Sequence, residues 1–87
     1  MQVVDGIAII EGDLVLENAT RMLAEGEAAI RAGAGVFDLA GVDQMDSSAL
    51  SLLLALRRSA QAIPLKFVNV PASLTSLAVL YGISDLV

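Results

Sequence analysis

The sequence predicts an α/β domain in which about three helices pack against a mixed four-stranded sheet. Apolar residues change between strand-like and helix-like spacing along the chain, and the resulting segments follow the order β-β-α-β-α-β-α. No linker, repeat or low-complexity stretch interrupts the 87 residues, so residues 1–87 are expected to form one domain. With only three aromatic residues, its core has to be built from aliphatic side chains.

The chain is predicted to begin with a β-hairpin. Asp5-Gly6 favours a tight turn between residues 3–4 and residues 7–10, and Gly12-Asp13 is expected to break the second strand. Residues 14–16 could continue that strand.

A helix, a short strand and a loop are predicted next. Helical spacing of apolar residues begins at Glu17, and Gly26 lies in the apolar stripe, where it would allow close approach to the sheet. The glycines within residues 33–35 end this helix. Residues 36–39 are suited to a strand covered on both faces, and residues 40–46 are expected to form a loop.

The last part of the chain is predicted to contain two more helices with a strand between them. The second helix runs from about Ser47 to Ala62 and the strand over residues 65–70; a third helix follows Pro71 and ends at Gly82. The predicted core face of the second helix comprises Ala49, Leu52, Leu53, Leu56, Ala60 and Ile63. That of the third helix comprises Leu74, Leu77, Ala78 and Tyr81.

The charge and residue types argue against several functions. The net charge is −5 and basic residues are scattered apart from Arg57-Arg58, so neither nucleic acid nor an anionic membrane surface is an expected partner. No uninterrupted run of apolar residues is longer than residues 52–56, which is too short for membrane insertion. The acidic N-terminal residues are unlike a signal peptide, so a cytoplasmic location is expected.

Catalysis is not expected either. The chain has no His and no Cys, so a serine nucleophile would lack its usual base. Asp43 and Asp46 are typical of solvated loop carboxylates rather than of a metal site, and Gly33 and Gly35 lack the Gly-Lys-Ser/Thr ending of a phosphate loop. We therefore expect no catalytic residue, no metal and no cofactor.

The second helix carries the candidate partner-binding residues. At 100° per residue, Leu50 and Leu54 fall outside the core arc, on a stripe shared with Ser47, Ser51 and Arg58. A partner that buried both leucines would gain about 1.5–3 kcal/mol from each. Alternatively, a neighbouring helix or loop of the same domain covers them. If they are exposed, they could also pair two copies of the isolated chain as a homodimer.

The start of this helix has two interpretations. Asp46 or a serine at this point can cap the helix by accepting hydrogen bonds from its first amides. Alternatively, Ser47, with Ser48 as the second candidate, presents a hydroxyl for phosphorylation at the positive end of the helix dipole, where Asp46 would partly oppose the phosphate.

Residues 37–50, which read FDLAGVDQMDSSAL, resemble the STAS domain family. This family includes anti-sigma-factor antagonists and the C-terminal domains of sulfate transporters. The pattern D-L-x-x-V-x-x-M-D-S-S-x-L is fairly specific, and the predicted element order matches the family fold over the whole chain. Within the family, the short chain and its ending over residues 77–83 are most similar to the MlaB-type cytoplasmic subunits of Mla phospholipid ABC transporters.

The resemblance implies a partner. This partner is the ATPase subunit of such a transporter, which the helix that follows Asp46 would bind. The chain would support the ATPase without catalysis, and it would lie at the inner membrane through this partner. Ser47 matches the position that kinases phosphorylate in the antagonist branch, which implies the alternative of an antagonist that binds an anti-sigma factor kinase. Val15 and Ala49 depart from that branch, where Asp and Gly are frequent. Lipid binding is a third alternative.

Overall fold

The computed structural model describes residues 1–61 and 63–86 and contains one four-stranded sheet with the strand order β1-β2-β3-β4. β1 pairs antiparallel with β2, whereas β2, β3 and β4 run parallel to one another, which confirms the mixed sheet. The strands are β1 (Gln2–Val4), β2 (Ile7–Leu14), β3 (Val36–Met45) and β4 (Lys66–Val68).

Three helices complete the predicted order β-β-α-β-α-β-α: α1 (Ala19–Arg31), α2 (Ser47–Ala60) and α3 (Ala72–Leu80). A short 3₁₀ turn, Leu16–Asn18, precedes α1, and a second one follows α3. The second helix thus ends at Ala60, and Ala62, its predicted end, lies outside the described residues. Among residues 1–61 and 63–86, no helix combines the length and the apolarity that crossing a membrane requires.

All three helices lie on one face of the sheet. The connections β2-α1-β3 and β3-α2-β4 both step the same way across parallel strands, and right-handed crossovers of this kind place their helices on the same face. α2 packs against α1 on one side and α3 on the other. The inner sides of the helices and the inner face of the sheet together form one buried cluster, which includes Ile10, Phe37, Leu39, Leu53, Leu56 and Leu74.

The first hairpin forms as predicted. Asp5 and Gly6 have φ angles of 51° and 78°, the left-handed conformation that a two-residue hairpin turn requires at both positions. The carbonyl of Gly6 also accepts a hydrogen bond from the amide of Gly35, so the turn holds the loop that leads into β3. The expectation that Gly12-Asp13 ends the strand is wrong, because β2 continues to Leu14.

β3 extends to Met45, so the predicted loop over residues 40–46 is wrong. Two irregularities shift its register against β2, each adding one residue to β3. Carboxylates bind amides of β3 beside both: the Asp38 side chain accepts from the amide of Ala40 at 2.9 Å, and that of Asp13 from the amide of Gln44 at 3.1 Å. These side chains satisfy amides at the bulges, so the strand continues although its period-2 pattern is interrupted.

The helix faces agree with the sequence except near the ends of the elements. Five predicted core residues of α2 are buried, whereas Ile63, beyond the end of that helix, is exposed. Leu74 and Ala78 of α3 are buried and Leu77 packs against the core, but α3 ends at Leu80, and Tyr81 is exposed. β4 is shorter than the predicted strand over residues 65–70.

Gly26 allows close packing of two helices rather than of a helix and the sheet. A Cβ atom at this position would lie 2.5 Å from Cδ2 of Leu56 in α2. The predicted close approach to the sheet is therefore wrong, because the close contact is with α2. Glycine is needed for the reason given, since only a residue without Cβ allows this approach.

Candidate functional site

Asp46 connects three segments at the start of α2. Its Oδ1 accepts a hydrogen bond from the amide of Ser48 at 2.8 Å, which caps the helix, and its Oδ2 accepts one from the amide of Leu16 at 3.1 Å. Its own amide donates to the carbonyl of Leu14 at 3.2 Å. One residue thus fixes the first turn of α2 against the end of β2.

The hydrogen bonds to Asp46 also favour its ionised form. The amide of Ser48, and after it the amide of Leu16, lower the pKa of this carboxyl below its ordinary value. The positive end of the α2 dipole acts in the same direction. The start of α2 therefore carries a fixed negative charge beside Ser47.

The two serines that follow Asp46 are in different environments. Ser47 is exposed, and its hydroxyl has no hydrogen-bond partner within the described part of the chain. Ser48 is half-buried and its amide is bound by Asp46. Of the two candidate phosphoacceptors, Ser47 thus presents the more accessible hydroxyl.

Leu50 does not point away from the core. It is only 4% exposed and belongs to the buried cluster, so the prediction that it is available to a partner is wrong. The reason is that α3 and the turn after it pack against this side of α2. Leu54, one turn further along, is half-buried and partly accessible. The alternative of cover within the domain therefore applies to Leu50, and the expected homodimer contact through this residue loses its basis.

The first of two grooves beside α2 runs between this helix and the turn that follows α3. It has a volume of about 330 Å³ and is lined by Ser47, Leu50, Ser51, Leu54, Tyr81 and Ile83. Hydrogen bonds that end α3 hold its outer wall, including one of 2.9 Å from the amide of Ile83 to the carbonyl of Ala78. Tyr81 is 59% exposed, so much of this wall is aromatic surface in contact with solvent.

The second groove lies between α2 and the start of α1. Its volume is about 380 Å³, and its lining includes Leu16, Leu23, Ser51, Ala55 and Arg58. Leu16 is 72% exposed, and Arg58 forms no ion pair with any described residue. The groove thus combines apolar side chains with one accessible positive charge.

Arg57, next to Arg58, has a structural role instead. Its guanidinium donates to the carbonyl of Leu65 at 3.1 Å and lies 5.2 Å from the centre of the Phe67 ring. It therefore links α2 to the strand that follows it.

The structure brings most of the predicted partner-binding residues together. Ser47, Ser51 and Leu54 line the first groove, Arg58 lines the second, and Ser51 belongs to both. Leu50 also borders the first groove, but it is buried. We call the accessible set, with its flanking apolar residues, the α2 surface: Ser47, Ser51, Leu54, Arg58, Leu16 and Tyr81. Leu16 and Tyr81 were missed because they lie at the ends of elements, where periodicity does not indicate a face.

A family model described as "Mlab, STAS domain" matches residues 6–87. The chain belongs to the STAS domain family. This confirms the resemblance of residues 37–50 to that family.

Among solved structures, this STAS domain is similar to the unphosphorylated form of the anti-sigma factor antagonist SpoIIAA. The two share 19% sequence identity, the TM-score is 0.70, and the alignment covers 98% of this chain and 81% of that chain. At this identity the likeness concerns the fold, whose α/β class it confirms. The search of curated proteins finds no match.

The burial of Leu50 can be tested by its contribution to stability. Because truncating a buried leucine removes apolar contacts and leaves a cavity, we expect Leu50→Ala to lower the free energy of unfolding by about 2–5 kcal/mol. Ser51→Ala, a neighbouring change on the exposed side, is expected to alter it by less than about 0.5 kcal/mol. Urea unfolding followed by circular dichroism measures both. Similar small effects of the two substitutions would contradict the assignment of Leu50 to the core.

The cap formed by Asp46 should make the stability of the STAS domain depend on pH. Because folding lowers the pKa of this carboxyl, its ionised form stabilises the fold above about pH 4, and this contribution is lost as the pH falls below that value. Asp46→Asn removes the charge, so the difference in urea midpoint between wild type and variant should shrink from pH 7 to pH 3. Asp43→Asn, which removes a nearby exposed charge, is the control. A difference that stays constant over this range would contradict the prediction.

Proposed function

We propose that this STAS domain is a non-catalytic binding module that docks on the ATPase subunit of a phospholipid (Mla-type) ABC transporter. The observation that carries the proposal is the α2 surface, an accessible helix stripe between two grooves with exposed apolar side chains on both sides. The description of the matching family model supports a transporter subunit as the context.

The α2 surface has the composition of a protein interface. Tyr81 and Arg58 are of the residue types that contribute most to binding at interfaces, and they lie at its two sides. Between them, Ser51 and Ala55 are small, so the backbone of a partner helix can approach α2 closely. Leu16 and Leu54 add accessible apolar area, which replaces the contribution first expected from Leu50.

The proposed role is structural support rather than chemistry. The chain contains neither His nor Cys, and both carboxylate oxygens of Asp46, the acid next to Ser47 in the sequence, are already bound by backbone amides. Its charge of −5 makes a direct contact with anionic lipid or nucleic acid unfavourable. The chain would therefore lie in the cytoplasm and reach the inner membrane only through the ATPase.

Substituting Ser51 tests docking without disturbing the core. Because this exposed residue lines both grooves, Ser51→Arg should weaken binding to the ATPase subunit at least tenfold, about 1.4 kcal/mol, with an unchanged melting temperature. Isothermal titration calorimetry with the purified ATPase subunit measures the dissociation constant. Ser76→Arg makes the same change on the exposed side of α3, outside both grooves, and should leave binding unchanged. Equal affinities for the two variants would refute docking through α2.

A second candidate function is that of an anti-sigma-factor antagonist switched by phosphorylation at Ser47. Two observations favour it: the similarity in fold to an unphosphorylated antagonist, and the exposed hydroxyl of Ser47 at the first position of α2. A phosphate there would meet the positive end of the helix, but also the ionised carboxylate of Asp46. It would place about two negative charges on the docking surface and so switch binding.

Phosphorylation distinguishes the two candidates. Incubation with the anti-sigma factor kinase and ATP, followed by mass spectrometry, should yield no phosphate on Ser47 if the chain is a transporter module. If the chain instead carries stoichiometric phosphate, and Ser47→Ala abolishes it whereas Ser48→Ala retains it, the chain is an antagonist.

A further inference from the structure

The sheet face opposite the helices carries a patch of aliphatic side chains. Paired residues of neighbouring strands share a face, so the register places Val4, Ile7 and Val36 in one row, and Ile9 and Val68 in the next. Val4 and Ile7 are 47% and 38% exposed, and the other three are half-buried. We call these five residues the outer face.

None of the described residues forms a layer over the outer face. Its five members are absent from the buried cluster, and its half-buried members are not among the side chains that pack against that cluster. In contrast, the residues that alternate with them in β2 and β3, including Ala8, Ile10 and Phe37, are completely buried beneath the helices.

The apolar residues on the uncovered face of this mixed sheet need an explanation. A sheet face in contact with solvent is usually polar, and an exposed apolar patch marks an interaction site. All five outer-face residues are Val or Ile, which are costly to leave in water. The outer face therefore has the composition of an interaction surface.

The charges beside the outer face have opposite signs and are available for pairing. Lys66 continues the row of Val36, and it is exposed and forms no ion pair within the described part of the chain. Asp38 lies in the next row, between Ile9 and Val68. Its Oδ1 accepts hydrogen bonds from the amide of Ala40 and the side chain of Asn69, and no described residue donates to its Oδ2. These bonds, the one from Asn69 first, lower the pKa of Asp38 and favour the charged form.

We propose that the outer face packs against the outer face of a second copy of this chain, with Lys66 of each copy paired to Asp38 of the partner subunit. A two-fold interface brings a patch against itself, so a surface with both an accessible ammonium and an accessible carboxylate beside an apolar centre is complementary to its own copy. Each Lys66–Asp38 contact is then made twice. A surface with one sign of charge would repel its copy.

The charges also decide between a second copy and other occupants. Asp38 and Glu11 lie on or beside this face with one positive side chain, so a phosphate-rich surface, whether lipid or nucleic acid, is disfavoured. Because the helices lie on the opposite side of the sheet, pairing leaves both α2 surfaces accessible. The proposal is thus independent of the proposed function.

Lys66 is the only lysine of the chain, so it and the α-amino group of Met1 are the amines available for cross-linking. A mixture of ¹⁴N- and ¹⁵N-labelled protein is treated with a carbodiimide, which joins amines to carboxylates, and the peptides are identified by mass spectrometry. We expect Lys66–Asp38 cross-links between chains with different labels, together with a monomer–dimer equilibrium in sedimentation. A monomer at every concentration, or cross-links within single chains only, would overturn the proposal.

Two variants locate the interface. Ile7→Glu, at the centre of the outer face, should raise the dimer dissociation constant at least tenfold, and so should Lys66→Glu, whose exposed side chain can be replaced without loss of the fold. Val79→Glu removes an exposed apolar residue from α3 and is the matched control. If only Val79→Glu weakens the dimer, the interface lies on the helices. If the chain is a monomer and only another protein protects its outer face, the outer face binds that protein. Either result would refute pairing of two copies.

Discussion

The constraint that shapes this protein is the handedness of its two crossover connections. Three parallel strands follow one another across the sheet without a reversal of direction, so right-handed crossovers must place α1 and α2 on the same face. α3 then packs beside α2 instead of crossing to the other side. Both surfaces to which we assign binding follow from this arrangement: a central helix with one accessible stripe, and a sheet face over which the described residues place no helix.

The central position of α2 explains which of its residues can bind a partner. The sheet, α1 and α3 enclose it on three sides, which buries Leu50 as well as the expected core residues. Gly26 brings α1 close on one side, and the turn with Tyr81 limits the other. What remains accessible is a narrow strip centred on Ser51, so small and polar residues, not leucines, form the middle of the surface.

Asp46 links the fold to the function of this strip. Its two carboxylate oxygens bind amides on separate segments, so the first turn of α2 has a defined position relative to the end of β2. Ser47 and Leu16 are consequently held on the same side of the domain, at the start of the α2 surface. A preformed surface of this kind costs little ordering on binding, whichever of the two candidate partners it meets.

The features that depend on residues close together in the chain could be predicted: the element order, the Asp5-Gly6 turn, the cap at Asp46, the faces of the helices and the family segment over residues 37–50. Three-dimensional packing determined the burial of Leu50, because α3 and its turn are distant in sequence from the helix that they cover. It likewise decided the length of β3, whose second bulge is satisfied by a carboxylate from another strand. The uncovered face also depends on three-dimensional packing. The spacing of apolar residues defines two faces of a strand, but it does not show on which of them the helices pack.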